Sequence, residues 1–445
     1  MAKYHIWTVG CQMNKSDSER LASGLDQLGL SACERPDDAD VVVLNTCVVR
    51  QSAEDTATGM LGTLRPIKTA DPDRMIVVMG CMVGPKQDVL RRRFPQVDVW
   101  ARPQEYGPIL RAVGDKVGID AEGCIGQLIP TAPSVATFVP VIHGCDKFCT
   151  FCIIPYRRGR QVSRPIDEVI HETRMLAERG VKDVTYLGQT VDAYGHDFDP
   201  PMDLADLLSA ANQVDGIERI RFLTSHPSDM TQRIIRAVAD LPKVCETINL
   251  PFQAGDDGIL TAMRRGYNRD DYLDLVSQLR AEIPGVAIVT DLIVGFPGET
   301  ADQFERSLDM LREVRFDKVH AAAYSERPGT IASRKQPDDV DRAEKKRRLN
   351  AVGDLQEQIQ AEINSALKGK EFDVLVDGET RGAPSGRTRT DKLVYLTRGG
   401  ASVGDTVRVR ITETSPYSLK GEVLELALES ELEPALEPAL AEGRA

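Results

Sequence analysis

Three cysteines stand close together in the segment GCDKFCTFC, residues 144–152, at the spacing Cys-x3-Cys-x2-Cys. Cys145, Cys149 and Cys152 supply three thiolates, and the next cysteine downstream is Cys245. A cubane iron–sulfur cluster has four irons and normally takes four thiolates, whereas zinc sites pair short knuckles to reach four ligands. A metal site that does chemistry keeps one position free. The spacing therefore favours an iron–sulfur cluster with one open iron over a zinc site or a closed ferredoxin-type electron carrier.

A second set of three cysteines is spread over the first part of the chain. The apolar, β-rich runs HIWTVGC, DVVVLNTC and MIVVMGC end in Cys11, Cys47 and Cys81. Helical patterns separate these runs, which predicts a parallel sheet whose carboxyl ends meet at one edge. We expect this edge to gather the three thiolates, although buried cysteines also pack well in sheets. The remaining cysteines match no motif and are interpreted as structural: Cys33, Cys124 and Cys245.

Composition limits the class of protein. The chain has 445 residues, 42% hydrophobic content and nine cysteines. It contains no apolar run near the ~18–20 residues of a membrane helix, and its N-terminus lacks a signal-peptide pattern. Nine cysteines without export argue for metal or catalytic use in a reducing cytoplasm rather than for disulfides. We therefore expect a cytoplasmic protein with no membrane contact, and we expect a monomer.

Strand and helix patterns predict an α/β multidomain fold. The first part alternates strands with helices, one of which runs from an N-cap at Ser16 to Gly29. Six further strand–helix units after residue 138 predict a partial (β/α)6 barrel. A long polar helix follows over residues 341–367, and short strands with Gly and Pro turns then predict a small all-β barrel.

These patterns give the expected domain boundaries. The predicted segments are an N-terminal α/β domain (1–128), a linker (129–138), a partial barrel (139–364), a small β-barrel (365–428) and an acidic, disordered tail (429–445). The formal net charge is −13, yet residues 365–421 hold ten Lys or Arg against seven Asp or Glu. Net charge is therefore a poor guide to the local surface.

Motifs along the chain carry a family resemblance. The three-cysteine loop with Phe151 before its last cysteine resembles the radical S-adenosylmethionine enzymes. Together with LGQTVDAYG, TSHP, LPFQAG and IVGFPGET, it resembles the methylthiotransferases over about residues 3–425. The resemblance implies two 4Fe-4S clusters, one on each cysteine set, with S-adenosyl-L-methionine on the open iron of the second. It also implies a transferase whose last domain is a TRAM barrel.

The resemblance also implies roles for residues around the second cluster. The catalytic cysteines are Cys145, Cys149 and Cys152, and Phe151 is expected against the adenine of the cofactor. Gly188 and Gln189 stand near its methionine amino group, and Ser225 and Gln253 stand at later strand ends near its ribose or carboxylate.

Substrate choice separates the members of this family. The motifs are most similar to the sub-class that adds a methylthio group to C2 of N6-isopentenyladenosine beside the tRNA anticodon. That sub-class usually has Asn where Thr190 and Asp192 stand and Ser-Gly where Ala254 and Gly255 stand. The alternatives are threonylcarbamoyladenosine in tRNA and an aspartate of a ribosomal protein. A different class would be a non-enzymatic electron carrier or RNA-binding protein. The expected partners are the anticodon loop, an electron donor and a sulfur source.

Three basic stretches are candidates for contacts with tRNA phosphates. They are RRGRQVSR, RRGYNR and GRTRTDK, and a basic run is otherwise a solvated face. The arginines expected to bind RNA are Arg157, Arg158, Arg160, Arg264, Arg265, Arg387 and Arg389.

Overall fold

The computed structural model describes residues 1–426 except 50, 85–86, 126–127, 381 and 398–399. The predicted tail at 429–445 lies outside the described residues. The chain divides into two compact units, Met1–Ile363 with Arg389–Asp391, and Asn364–Thr388 with the residues from Lys392 onward. The boundaries expected at residues 128 and 138 fall inside the first unit and stay predictions.

The first unit begins with a five-stranded parallel sheet, which confirms the expected N-terminal α/β fold. Its elements are β1 (Lys3–Thr8), α1 (Gln12–Gln27), β2 (Ser31–Ala32), β3 (Val41–Thr46), α2 (Gln51–Ala70), β4 (Met75–Gly80), α3 (Asp88–Arg93), β5 (Val99–Ala101) and α4 (Tyr106–Val117). The spatial order is β2-β1-β3-β4-β5. The strands that precede Cys11, Cys47 and Cys81 are therefore direct neighbours.

Both faces of this sheet are covered by helices. Alternate residues of β3 point to opposite sides, so Val43 packs with Leu25 and Ile109 of α1 and α4. Leu44 faces the other way and packs with Leu61 of α2. All six residues of β3 are buried, as expected for the central strand of a parallel sheet covered on both faces.

The start of α1 differs from the sequence-based expectation. The helix begins at Gln12 with Cys11 at its N-cap, one turn earlier than the N-cap predicted at Ser16. Ser16 lies inside the helix, and its hydroxyl donates to the carbonyl of Phe138 at 3.2 Å. The preference of serine for N-caps is a weak local term, and packing of α1 against the distant strand that contains Phe138 outweighs it. The predicted stop is correct, because Gly29 follows the helix end at φ +76°.

Six parallel strands, together with a short antiparallel pair, β7 and β8, form the second part of the first unit. The elements are β6 (Ala136–Pro140), β7 (Ile142–His143), α5 (Ile154–Arg158), β8 (Val162–Ser163), α6 (Ile166–Glu178), β9 (Asp183–Leu187), α7 (Leu204–Ala211), β10 (Arg219–Leu223), α8 (Gln232–Asp240), β11 (Thr247–Asn249), α9 (Asp257–Met263), α10 (Arg269–Glu282), β12 (Ala287–Val294), α11 (Ala301–Val314), β13 (Lys318–Ala323), α12 (Ile331–Lys335) and α13 (Arg342–Ser365). The sheets β6-β9-β10 and β11-β12-β13 are joined by a parallel bridge between Ile220 and Val244. This arrangement confirms the partial (β/α)6 barrel.

The second unit is a small barrel, as expected. Its strands are β14 (Glu371–Thr380), β15 (Ala383–Arg387), β16 (Leu393–Leu396), β17 (Thr406–Thr414) and β18 (Leu419–Leu426), and they close in the order β14-β15-β16-β18-β17. Val374, Val394, Val407 and Ile411 fill its core. Within the described part of the chain, no helix is both long and apolar enough to cross a membrane.

Candidate functional site

The three N-terminal cysteines lie at one edge of the first sheet. Cys47 and Cys81 directly follow β3 and β4, and Cys11 stands three residues after β1. The loops are in contact, because a Cβ placed on Gly10 would lie 3.0 Å from the sulfur of Cys47. Cys11 is exposed, whereas Cys47 and Cys81 are buried. Cys11 is therefore the most exposed residue of the three.

Two features keep these loop ends together. The side-chain amide of Asn14 donates to the carbonyls of Val9 and Thr46, at 2.8 and 2.9 Å. Gly80 has φ +95°, and a Cβ there would lie 2.4 Å from the Thr46 carbonyl oxygen. Only glycine can supply both the left-handed backbone and this close approach. The backbone before Cys81 is thus positioned against the loop of Cys47.

The surroundings favour a thiolate at Cys11. A hydrogen bond from Cys47 is the main cause that lowers the pKa of Cys11 to about 6, and burial opposes it. The same contact raises the pKa of Cys47. Burial raises the pKa of Cys81, and the positive charge of Arg158 acts in the opposite direction. Cys11 is also the N-cap of α1, where the helix dipole favours negative charge. Thiolates are the form that binds metal.

The second cysteine set lies in the loop between β7 and α5. The amide of Cys145 donates to the carbonyl of Gly159 at 3.2 Å, which closes the loop at its base. Thr150 anchors the middle of the loop, since its amide donates to the Met263 carbonyl and its own carbonyl accepts from Ala332. Cys145 and Cys149 are buried, and Cys152 is partly exposed. The loop is held by the barrel at three places.

Two side chains contact the sulfurs of this loop. The Thr190 hydroxyl lies 3.3 Å from Cys145 Sγ, and Arg265 Nη1 donates to Cys149 Sγ at 3.4 Å. Burial raises the pKa of Cys145 and raises that of Cys152 to about 12. Hydrogen bonds to cysteine sulfurs are one of the means by which proteins set the reduction potential of a bound cluster.

Each cysteine set fits an iron–sulfur cluster better than a single metal ion. No three His, Cys, Asp or Glu side chains of the described residues are arranged to hold one metal ion. The cysteines of a cubane cluster each bind a different iron, so their sulfurs need not converge on one point. All nine cysteines are free thiols. The donor chemistry, three thiols per set at a sheltered strand end, is the chemistry that such clusters require.

Buried polar atoms mark the carboxyl ends of successive barrel strands. Gln189 Oε1, Ser225 Oγ and Gln253 Oε1 follow β9, β10 and β11, and each lacks a hydrogen-bond partner among the described residues. Buried polar groups are usually paired, so these three atoms at neighbouring strand ends are available to a polar ligand. Gln253 also has φ +67°, a strained backbone conformation typical of ligand sites.

The other two residues expected near the cofactor have packing roles. A Cβ on Gly188 would lie 2.3 Å from Ile142 Cγ2, so glycine lets β9 end close to the cysteine loop. Phe151 packs against an apolar group that includes Ala254, Phe296 and Tyr324. Phe151 thus lies in an apolar environment directly before Cys152.

The seven arginines expected to bind RNA fall into different environments. Arg160 and Arg264 are exposed, and Arg157 is partly exposed. The side chains of Arg158 and Arg265 are buried, Arg158 against Asp17 and Arg265 against Cys149, so neither is open to a phosphate of tRNA. Arg387 pairs with Asp377, and Arg389 pairs with Glu246. A basic run in sequence does not show which of its charges are solvated.

Sequence reasoning missed three residues that the structure brings to the cysteines. Asn14 stands three residues after Cys11, and Thr190 lies in the motif LGQTVDAYG. Their only signal in the sequence is proximity to a cysteine or to a strand end. Arg327 follows β13, and its guanidinium donates to Glu54 Oε2 at the start of α2, after Cys47. Nothing in its local sequence points to this contact, because 276 residues separate it from Gln51, its other partner.

Three domain families match this chain. Residues 3–102 match Uncharacterized protein family UPF0004, residues 139–311 match the Radical SAM superfamily, and residues 366–424 match the TRAM domain. The three matches follow the N-terminal sheet, the partial barrel and the closed barrel in that order.

Curated relatives match nearly the whole chain. A protein of Roseiflexus sp. (strain RS-1) is 46% identical over 423 residues, which cover 94% of this chain and 89% of that protein. A protein of Herpetosiphon aurantiacus is 44% identical over 426 residues, covering 95% and 97%. Both are named tRNA-2-methylthio-N(6)-dimethylallyladenosine synthase.

Solved structures share the fold at low sequence identity. The radical S-adenosylmethionine methyltransferase TsrM from Kitasatospora setae, solved with cobalamin and a 4Fe-4S cluster, superposes with a TM-score of 0.55 at 14% identity. The match covers 75% of this chain and 77% of TsrM.

Proposed function

Because this chain belongs to the family of tRNA-2-methylthio-N(6)-dimethylallyladenosine synthases, we propose that it is a radical S-adenosylmethionine methylthiotransferase. It adds a methylthio group to C2 of N6-isopentenyladenosine next to the anticodon in tRNA. Relatives with this name are 39–46% identical to it over nearly the full chain. An electron carrier of the ferredoxin type would not need two incomplete sets of thiolates.

The observation that carries the proposal is the pairing of two sets of three cysteines in one compact unit. The first set stands at the carboxyl ends of neighbouring parallel strands, the second lies in the loop between β7 and α5, and each leaves one iron of a cubane cluster without a cysteine ligand. An open iron is a binding position for a substrate or cofactor. Two such positions match a reaction that needs both a radical and a sulfur donor.

The residues of the barrel have distinct tasks in this reaction. Cys145, Cys149 and Cys152 would hold a cluster that, together with bound S-adenosylmethionine, would supply the radical chemistry needed to remove hydrogen from the substrate. Arg265 and Thr190 donate hydrogen bonds toward the cysteine sulfurs and stabilise their negative charge.

The strand-end side chains bind and orient the cofactor. Gln189 and Gln253 offer carbonyl oxygens to its ammonium or hydroxyl groups, and Ser225 offers a hydroxyl that can donate or accept. Phe151 and its apolar neighbours provide a surface for adenine and exclude water from the site. Cys11, Cys47 and Cys81 would hold the second cluster, which would supply the sulfur chemistry.

The substrate base must leave its stack to reach a buried cofactor, so an exposed anticodon loop suits this site better than a helical stem. Arg160 and Arg264 are exposed and are suited to phosphate contacts. The enzyme works in the cytoplasm as a monomer, with an electron donor and a sulfur source as further partners.

Nucleoside mass spectrometry tests this proposal. Anaerobically reconstituted protein is incubated with reductant, sulfide, S-adenosylmethionine and tRNA that carries N6-isopentenyladenosine. We expect a methylthio mass gain on that nucleoside, absent with Cys145→Ala and retained with Cys245→Ser, which alters a buried cysteine outside both sets.

Two other results would change the proposal. If 5′-deoxyadenosine forms without a mass gain on the nucleoside, the radical enzyme stands and the substrate is wrong. Threonylcarbamoyl tRNA and the ribosomal-protein aspartate are then assayed in the same way. If protein that holds both clusters cleaves no S-adenosylmethionine, the enzyme assignment is refuted.

A further inference from the structure

Two arginines of the barrel part are buried beside the N-terminal cysteines. The side chain of Arg158 is 2% exposed and that of Arg327 is 4% exposed. A buried guanidinium is costly unless its charge and its N–H groups are satisfied. Each arginine has one carboxylate partner, Asp17 or Glu54, and each keeps N–H groups that these partners do not reach.

Arg158 lies at Cys11 and Cys81. Its Nη2 donates to Asp17 Oδ2 at 3.1 Å and to Asn14 Oδ1 at 3.2 Å. The same Asn14 oxygen lies 3.7 Å from the sulfur of Cys11. Nη1 is buried and has no hydrogen-bond partner of ordinary geometry among the described residues, while a side-chain interaction of Arg158 with the thiol of Cys81 acts to lower the pKa of that thiol. The positive charge also acts on both thiols, since it favours the thiolate of Cys11 and of Cys81.

Arg327 lies at the loop of Cys47. Its Nη1 donates to Gln51 Oε1 and Glu54 Oε2, both at 3.1 Å, in the first turn of α2. Nε and Nη2 are buried, and neither has a partner among residues that the structure describes. Burial lowers the pKa of Arg327, whereas Glu54 and then Cys47 act to raise it, so Cys47 is within electrostatic reach.

Both arginines belong to segments attached to the radical-generating loop. Arg158 ends α5, the helix that directly follows Cys152. Arg327 begins a turn in which its carbonyl accepts from the amide of Thr330. That turn leads into α12, where the amide of Ala332 donates to the carbonyl of Thr150, between Cys149 and Cys152. Arg158 and Arg327 thus lie on segments that are attached to the second cysteine set, and their side chains reach the first set.

We propose that Arg158 and Arg327 donate hydrogen bonds from these unused N–H groups to the sulfur atoms of the N-terminal cluster, and so raise its reduction potential. Thiolates and bridging sulfides make such a cluster anionic, and N–H donors with a positive charge favour the more negative, reduced state. The inference rests on the proposed function, because it takes Cys11, Cys47 and Cys81 as cluster ligands. Both arginines are positioning residues for that cluster.

The test measures a potential rather than turnover. The parent protein is the full chain with Cys145, Cys149 and Cys152 changed to Ala, so that only the N-terminal cluster assembles under anaerobic reconstitution. Redox titration followed by electron paramagnetic resonance is compared with Arg158→Gln, Arg327→Gln and the double variant. Arg312→Gln is the control, because it removes an arginine that is half-exposed and paired within its own helix.

We expect the double variant to keep its iron and to shift the reduction equilibrium about tenfold toward the oxidised cluster, ~59 mV for one electron. Each single variant shifts less, and Arg312→Gln does not shift. An unchanged potential in a fully loaded double variant would overturn the inference and leave the proposed function intact. If the parent itself assembles no cluster, both the inference and the proposed function are refuted.

Lysine variants decide the result if the glutamine variants lose iron. Arg158→Lys and Arg327→Lys keep the charge but cannot keep the forked N–H geometry. A loaded lysine variant with a potential below that of the parent supports the inference. If a loaded lysine variant has the same potential as the parent, the arginines have a purely structural role. The same conclusion holds if the lysine variants also lose all their iron.

Discussion

Acid should destabilise this protein through one buried histidine at the cofactor side of the barrel. His226 is 4% exposed, and its backbone amide donates to both oxygens of Asp192, at 2.8 and 3.0 Å. Its Nδ1 accepts from the amide of Ser228, so Nε2 carries the proton of a neutral ring. Burial, together with the charges of Arg265 and Lys147, lowers the pKa of His226 from 6.5 to about 2.

The sign and size of the effect follow from this shift. In the unfolded chain this histidine is protonated below pH 6.5, whereas in the folded chain it stays neutral until about pH 2. The stability is therefore fully present above pH 6.5 and falls as the pH decreases toward 2. At about pH 5 the loss is ~2 kcal/mol, since each pH unit below 6.5 costs ~1.4 kcal/mol.

Urea unfolding of the reduced, cluster-free chain at about pH 8 and pH 5 measures this loss for the first unit. Between the two pH values, wild type should lose ~2 kcal/mol more than His226→Gln, because the difference isolates one titrating group. His171→Gln, on an exposed position of α6, should behave as wild type does. Equal losses in wild type and His226→Gln would refute the reasoning, since His226 would then exchange protons as freely in the folded as in the unfolded chain.

Two further predictions concern the loop of the second cysteine set. Thr190→Val removes the hydroxyl that lies 3.3 Å from Cys145 Sγ, and it should shift that cluster about threefold to tenfold toward its oxidised state, ~30–60 mV in a redox titration. Thr190→Ser should keep the wild-type potential; a shift as large as that of valine would contradict the hydrogen bond. Gly144→Ala, at φ +69°, would place a Cβ 2.0 Å from the Arg160 carbonyl oxygen, so we expect it to lose this cluster's iron. Gly285→Ala, at φ +74° with nothing within 4 Å, should cost only ~1–2 kcal/mol and keep full iron content; equal iron in both variants would show that the contact is relieved.

Much of the fold could be read from local patterns. The strands that lead to Cys11, Cys47 and Cys81 are short apolar runs, and β1, β3 and β4 are found where the pattern predicts them. The short strands β2 and β5 were not predicted. The long helix predicted at 341–367 spans Arg342–Ser365. These elements depend on periodicity and on turn residues a few positions away, which a single sequence displays.

The cysteine sets could be found for the same reason. Cys145, Cys149 and Cys152 are close in sequence, so their spacing alone defines one site. Cys11, Cys47 and Cys81 are far apart, but strand ends in a parallel sheet must share an edge. Here the predicted sheet topology, rather than sequence spacing, indicates that the three cysteines are neighbours. The strand order β1-β3-β4 brings them together.

Local sequence patterns identify the residues that could bind iron and the secondary structures that carry them. The surroundings of the sulfurs depend instead on tertiary contacts. Arg158 and Arg265 belong to basic runs that suggest a solvated face, yet both are buried against partners distant in sequence, Asp17 and Cys149. Arg327 reaches α2 across more than half of the chain. Burial and ion pairing depend on which distant surfaces pack together, and that information is shared among many residues rather than present in any local pattern.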